Sequence, residues 1–203
     1  GLVDLVGGTV VKFTDCGWVS GSGFRSGEGM IVWTSPAGWL WNGTVVTITN
    51  ADAATPIPST GTLSKVAFGG SFDLSTSGDQ LLMYQDTATS TTFLFAVEAD
   101  STGWGNATDT ATTALPPGLT DGLNAVNIAS GTERDNGYYD GDHGGSTYSL
   151  GLSISAVGNW TTSDNLQTSS WWCSVFNPDV YVEFTDESFA SGISITGLVV
   201  DGL

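Results

Sequence analysis

Positive charge is what this sequence has least of. Its 203 residues carry 4 Lys and Arg against 21 Asp and Glu, a formal net charge of −17. Lys12, Arg25, Lys65 and Arg134 cannot line a phosphate backbone. That excludes a nucleic-acid partner and argues against adhesion to an anionic membrane. No apolar run approaches the roughly 20 residues of a spanning helix, so no membrane span is expected. Histidine is limited to His143, in the loop-like run Asp140-Gly-Asp-His-Gly-Gly. A Ser-His-Asp triad would have to use it, and nothing nearby resembles a nucleophile elbow. GxSxG, HExxH and phosphate-loop motifs are all missing. Glu28, Glu98, Glu133, Glu183 and Glu187 offer carboxylate pairs, but with 21 acids some pair is always on offer. The expectation is a protein that is not an enzyme. Cysteine is scarce too: Cys16 and Cys173 sit in no metal or redox spacing. Either they form one long-range disulfide, contributing about 2–5 kcal/mol in an oxidising compartment, or they are two buried thiols; the disulfide is the preferred reading.

What is present is enough for a core, with 40% hydrophobic and 11% aromatic residues. Only 12% of residues are charged, so Ser, Thr, Asn and Gly must supply most of the polar surface. That composition, and a chain opening at Gly1 with no charged leader, points to a secreted, extracellular protein. Short runs rich in Val, Ile, Phe, Tyr, Trp and Thr read as strands over Thr9–Asp15, Met30–Thr34, Thr44–Thr49, Leu63–Phe68, Gln80–Gln85 and Thr92–Glu98. Asn124–Ala129, Trp171–Phe176, Val180–Thr185 and Ile193–Val200 follow. Asn42-Gly43, Ser77-Gly78-Asp79, Pro116-Pro117-Gly118 and Asn136-Gly137 read as turns between them. Leu150–Trp160 alone has room for a turn or two of helix. The predicted fold is all-β, an antiparallel immunoglobulin-like sandwich. It divides into an apolar arm over residues 1–7, a sandwich over 8–168 and C-terminal strands over 169–203.

Several constellations could carry a role. Asp15, Arg25 and Glu28 read as a structural ion-pair cluster, with a guanidinium locking the Gly17–Gly29 loop. No cofactor is required, although Asp135, Asn136, Asp140 and Asp142 offer oxygen ligands for calcium on a Gly-rich run. Its order is not that of an EF-hand, and a hydrated Asn-Gly turn between strands is the preferred reading. Trp39 and Trp41, two residues apart, would share one face of an extended segment and could stack on a glycan. Trp171 and Trp172 would point opposite ways, one of them into the core. Asn42, Asn106 and Asn159 open N-x-T sequons and are candidate glycosylation sites.

Several motifs occur together in order. They are FTDCGW at Phe13–Trp18, GFRSGEG at Gly23–Gly29, the strand ending VWT at Thr34, GTVVTI at Gly43–Ile48, SGDQLLMYQ at Ser77–Gln85, ALPPGLTDGLNAV at Ala114–Val126 and GNW at Gly158–Trp160. Over roughly residues 1–160 the chain resembles an uncharacterised family of secreted bacterial β-domains, often found in large exported proteins. The resemblance implies an extracellular all-β domain and assigns no catalytic residues. Cys16 stands where that family's FTDNGW motif has Asn. By the same comparison the chain begins one strand late, because Gly1–Val6 aligns with the end of the family's second strand.

A sandwich short of one strand would expose an apolar cleft flanked by unpaired backbone groups. The expected remedy is a strand from a neighbouring copy, head to tail, giving a homopolymeric, pilus-like filament by donor-strand exchange. Burying ~400 Å² of donor side chain would contribute about 10 kcal/mol before ordering costs. The candidate donors are Gly1–Val6, through Leu2, Val3, Leu5 and Val6, and Ile193–Val200; the N-terminal one is preferred. In the mundane alternative, Ser169–Leu203 folds back and fills the gap within one chain. The second function class is a carbohydrate- or surface-binding module of a larger exported protein, with glycans as partners.

Overall fold

Alternation in two neighbouring segments sets Val11, Phe13, Ile31 and Trp33 on one face, and that face is the floor of the main core. The computed structural model describes residues 2–164 and the backbone of two further strands, Glu183–Thr185 and Ser194–Thr196. Six strands form the central sheet: β2 (Val10–Thr14), β5 (Glu28–Thr34), β9 (Thr62–Phe68), β10 (Gln80–Asp86), β11 (Thr91–Glu98) and β12 (Ala125–Asn127). Their spatial order is β12-β11-β10-β2-β5-β9. All neighbours are antiparallel except β11 and β12, which run parallel. The fold is all-β, as expected, with one parallel pair in an otherwise antiparallel sheet.

A second layer covers the floor. It contains β1 (Leu5–Val6) paired with β6 (Trp39–Leu40), and β7 (Thr47–Thr49) paired with β8 (Ile57–Pro58). It also contains β13 (Asn136–Tyr139), β14 (Trp160–Ser163) and the helix α1 (Thr147–Ser155). The Ser146 hydroxyl caps that helix by accepting from the Ser149 N–H. Leu2, Leu5, Val46, Ile48, Tyr139, Leu150, Ile154 and Trp160 descend from this layer onto Val11, Phe13, Ile31, Trp33, Leu81, Met83, Phe95 and Val97.

The opposite face of the sheet is covered as well. The hairpin of β3 (Trp18–Val19) and β4 (Gly23–Phe24) and the long loop after β11 bring Trp18, Phe24, Trp104, Leu115 and Leu119 onto Leu82, Tyr84, Phe93, Ala96 and Ala125. Burial on both faces is why β10 reads as the unbroken run Leu81-Leu82-Met83-Tyr84 instead of alternating. A register shift between Met83 and Tyr84 inserts Leu94 as an extra residue in β11. Leu94 and Phe95 therefore both face the main core while Phe93 faces the other side.

The run Asp135–Asp142, expected to be a loop, contains a strand instead. Asn136 and Gly137 lie inside β13, between β14 and β15 (Glu183–Thr185). A Cβ on Gly137 would meet Ile128 Cδ1 at 2.6 Å, so glycine serves close packing here and not a turn. Among the described residues, no helix is long and apolar enough to cross a membrane.

Candidate functional site

The N-terminal segment packs within its own chain. Leu2 is 5% exposed and Leu5 6%, both in the main core, with Val3 packed against it and Val6 on the surface. Leu5 pairs with Leu40 and Val6 with Trp39. Two of the four side chains expected to enter a neighbour's groove, Leu2 and Leu5, are thus core residues of their own chain, and β6 supplies the edge on which Leu5 and Val6 pair.

The C-terminal strands complete two other edges. β15 pairs with β13 through Asn136–Thr185, Gly137–Phe184 and Tyr138–Glu183. β16 (Ser194–Thr196) pairs with β7 through Thr49–Ser194, Ile48–Ile195 and Thr47–Thr196. β15 and β16 lie beside each other, so the second layer runs β14-β13-β15 alongside β16-β7-β8. Without these two strands, β13 and β7 would each present an open backbone edge. The rest of the second candidate donor, and Trp171 and Trp172, lie outside the described residues.

Asp15, Arg25 and Glu28 come together less closely than expected. Arg25 faces Glu28 at 4.0 Å, the outer limit of an ion pair, and makes no ion pair with Asp15. Asp15 instead accepts N–H bonds from Gly29 at 3.0 Å and Asp73 at 2.7 Å, while the Gln80 amide donates to the Asp15 carbonyl. Its carboxylate therefore fixes the ends of two loops through the backbone and needs no guanidinium. Burial pushes Asp15 up to about 6 against those hydrogen bonds. Glu28 rises to about 8, first from burial and then from the nearby Asp15 charge, which Arg25 only partly offsets. Asp79 beside them, accepting from Ser75 and Gln80, is also raised well above the carboxylate range by burial. Asp79 and Gln80 are members that no residue pattern announces, since both lie in a segment read as turn and strand.

Cys16 is a buried free thiol with its Sγ 3.8 Å from the Gly29 carbonyl. Its expected partner, Cys173, lies outside the described residues. Burial raises the Cys16 thiol to about 11, so it is unreactive at neutral pH.

The residues assigned to calcium are not gathered into one site. Asp135 precedes β13, Asn136 is buried within it, and Asp140 and Asp142 follow it. An extended strand of this length holds its ends roughly 13 Å apart, too far for one cation. Among the described residues, no group of three His, Cys, Asp or Glu side chains is placed to hold a metal ion. His143 packs edge-on to the Tyr139 ring at 5.5 Å.

The three sequons differ. Asn159 is half-buried, and its Nδ2 donates to Ser153 O at 2.9 Å and Ser153 Oγ at 3.0 Å. Asn106 accepts from the Ser20 N–H at 3.2 Å. Asn42 is exposed, follows Trp41 directly, and has its backbone N–H held by Asp4 Oδ1 at 2.7 Å. Trp39 and Trp41 stack on each other with centroids 5.8 Å apart and planes 12° from parallel, and remain 58% and 62% exposed.

Comparisons of the chain with protein-family models, with curated proteins and with solved structures return no match.

Proposed function

We propose that the chain is a non-enzymatic structural subunit of an extracellular fibre, assembling head to tail by strand donation with the C-terminal segment as donor. One observation carries this reading: the two strands that follow residue 164 in sequence fill the open edges of β13 and β7. A strand that completes its own chain's edge completes the same edge of a neighbour with the same hydrogen bonds, so closed and exchanged forms differ little in contact energy. Protein concentration and the strain of the connecting segments then decide between them. The N-terminal segment is the weaker donor, since withdrawing Leu2 and Leu5 would empty part of the subunit's own core. The motif likeness to secreted β-domains and the acidic, Ser- and Thr-rich composition support an extracellular setting.

The test is deletion of residues 165–203, followed by size-exclusion chromatography and negative-stain microscopy. The full chain should form fibres at high concentration, and the truncated chain should stay folded and monomeric. Fibres of the truncated chain would reject the C-terminal donor.

A second reading, glycan binding, is favoured by the exposed Trp39–Trp41 pair. Because the two rings stack on one another, each leaves only its outer face, an area suited to a single sugar ring. A glycan array with Trp39→Ala and Trp41→Ala controls tests for a free ligand.

A further inference from the structure

The Trp39–Trp41 stack has a ligand chemistry available within its own chain. We propose that Asn42 is an N-glycosylation acceptor and that the first sugar of its glycan lies on an outer face of that indole stack.

Acceptor chemistry rules out one of the three sequons, and the neighbouring indole stack favours Asn42 of the other two. The nucleophile is the side-chain amide nitrogen, which must be accessible and uncommitted. At Asn159 that nitrogen is spent on two hydrogen bonds to Ser153. At Asn106 the amide oxygen accepts from the Ser20 N–H, which leaves the nitrogen uncommitted. The Asn42 side chain is exposed and has no hydrogen-bond partner among the described residues. Its backbone is nonetheless fixed. The Thr44 N–H donates to Trp41 O at 3.1 Å and closes a four-residue turn, and the Asn42 N–H is tied to Asp4. Gly43 sits at φ +81°, the left-handed position such a turn demands, with nothing within 4 Å of a Cβ built there. A sequon in a rigid turn surrounded by open space admits both a transferase and a bulky product.

The donor is an oligosaccharide carried on a polyprenyl phosphate. A C–N bond forms between Asn42 Nδ2 and the anomeric carbon, the anomeric C–O bond to phosphate breaks, and the lipid phosphate leaves with the electron pair. The amide gives up one proton.

The stack explains where the sugar goes. Trp41 adjoins Asn42, and the chain turns at that point, so the strand rule that sends adjacent side chains to opposite faces does not apply. A pyranose ring presents a face of polarised C–H bonds, and an indole face is electron-rich and apolar. Two large exposed indoles are costly to leave bare in an extracellular protein with a −17 surface. A sugar tethered to the next residue is held at high effective concentration and covers them without a second molecule.

The chain secreted from a host that N-glycosylates provides the test. Peptide mass spectrometry reads occupancy at each sequon, and thermal unfolding is recorded before and after enzymatic removal of the glycan. The parent, Asn42→Gln and a Trp39→Ala/Trp41→Ala double variant are compared. The expected result is occupancy at Asn42 and not at Asn159. Deglycosylation should lower Tm of the parent by ~2–4 °C, and by nothing beyond the Asn42→Gln background in the tryptophan double variant. Upfield-shifted sugar protons in the NMR spectrum of the parent, lost in the double variant, would report the ring contact directly. An unmodified Asn42, or an equal Tm loss in parent and double variant, overturns the proposal. All three side chains concerned, Trp39, Trp41 and Asn42, are exposed, so the variants retain the fold.

Discussion

Glu28 and Glu98 illustrate what burial does to single residues in a chain with so few cations. Glu98 is fully buried, accepts one N–H from Asp100 at 2.7 Å, and is raised by burial to about 9. Asp15 at about 6 and Glu28 at about 8 belong to the same class. In the unfolded chain these groups lose their protons near pH 4. Between that pH and each folded-state value, the native state binds more protons than the unfolded state, so stability falls as pH rises. The fold should therefore unfold at a higher temperature at pH 5 than at pH 9, unlike proteins whose buried acids are paired with cations. Glu28→Gln replaces the carboxyl with a neutral group of the same shape. It should change Tm little at pH 5 and raise it at pH 9, as measured by thermal unfolding across that range. A Tm that climbs with pH in the parent, or falls at pH 9 in the variant, would contradict this reading.

Strands are the scale at which sequence and structure agree best, and the first of them now belongs to the core. Leu5→Ala should cost about 2–5 kcal/mol and leave fibre formation intact, because it removes a buried side chain of the subunit and not a donor contact. Chemical denaturation and microscopy of the variant measure both. The strands of the central sheet were legible because each has a strong apolar pattern of its own: alternating in Val10–Thr14, continuous in Leu81–Tyr84. β13 was not legible, since Asn136-Gly137 has the composition of a turn and its strand state depends on Ile128, Trp160 and Thr162 closing around the glycine. The identical dipeptide Asn42-Gly43 is a genuine turn, with Gly43 at positive φ and open space around it. Only tertiary packing separates the two. That one misreading created the calcium site. The Asp15 cluster was partly legible: FTDCGW and GFRSGEG placed Asp15, Arg25 and Glu28 together. The backbone donors that satisfy Asp15 come from loop geometry that no residue pattern announces.

At the scale of the whole molecule, charge and strand order act against each other. Copies carrying −17 repel, and this repulsion is screened over about 8–10 Å at physiological ionic strength. Assembly by strand donation should accordingly strengthen with added salt, seen as a lower protein concentration for fibre onset in light scattering; onset that rises with salt would point to an ionic interface instead. The acceptor edges on β13 and β7 are flanked by β14 and β8, so each can take one strand and no more. One donor per subunit and one acceptor face per subunit give a chain of copies, not a network.

The central claim is that β15 of one copy lies on β13 of another. The Tyr138–Glu183 pair sits opposite across that contact, at a separation a disulfide can span. The decisive measurement mixes two chains in a Cys173→Ser background, one carrying Tyr138→Cys and the other Glu183→Cys. The mixture is oxidised under assembly conditions and run on a non-reducing gel. Strand donation predicts a covalent heterodimer that neither chain forms alone. A mixture that stays monomeric, while a single chain carrying both cysteines closes on itself, would mean that each subunit keeps its own strand.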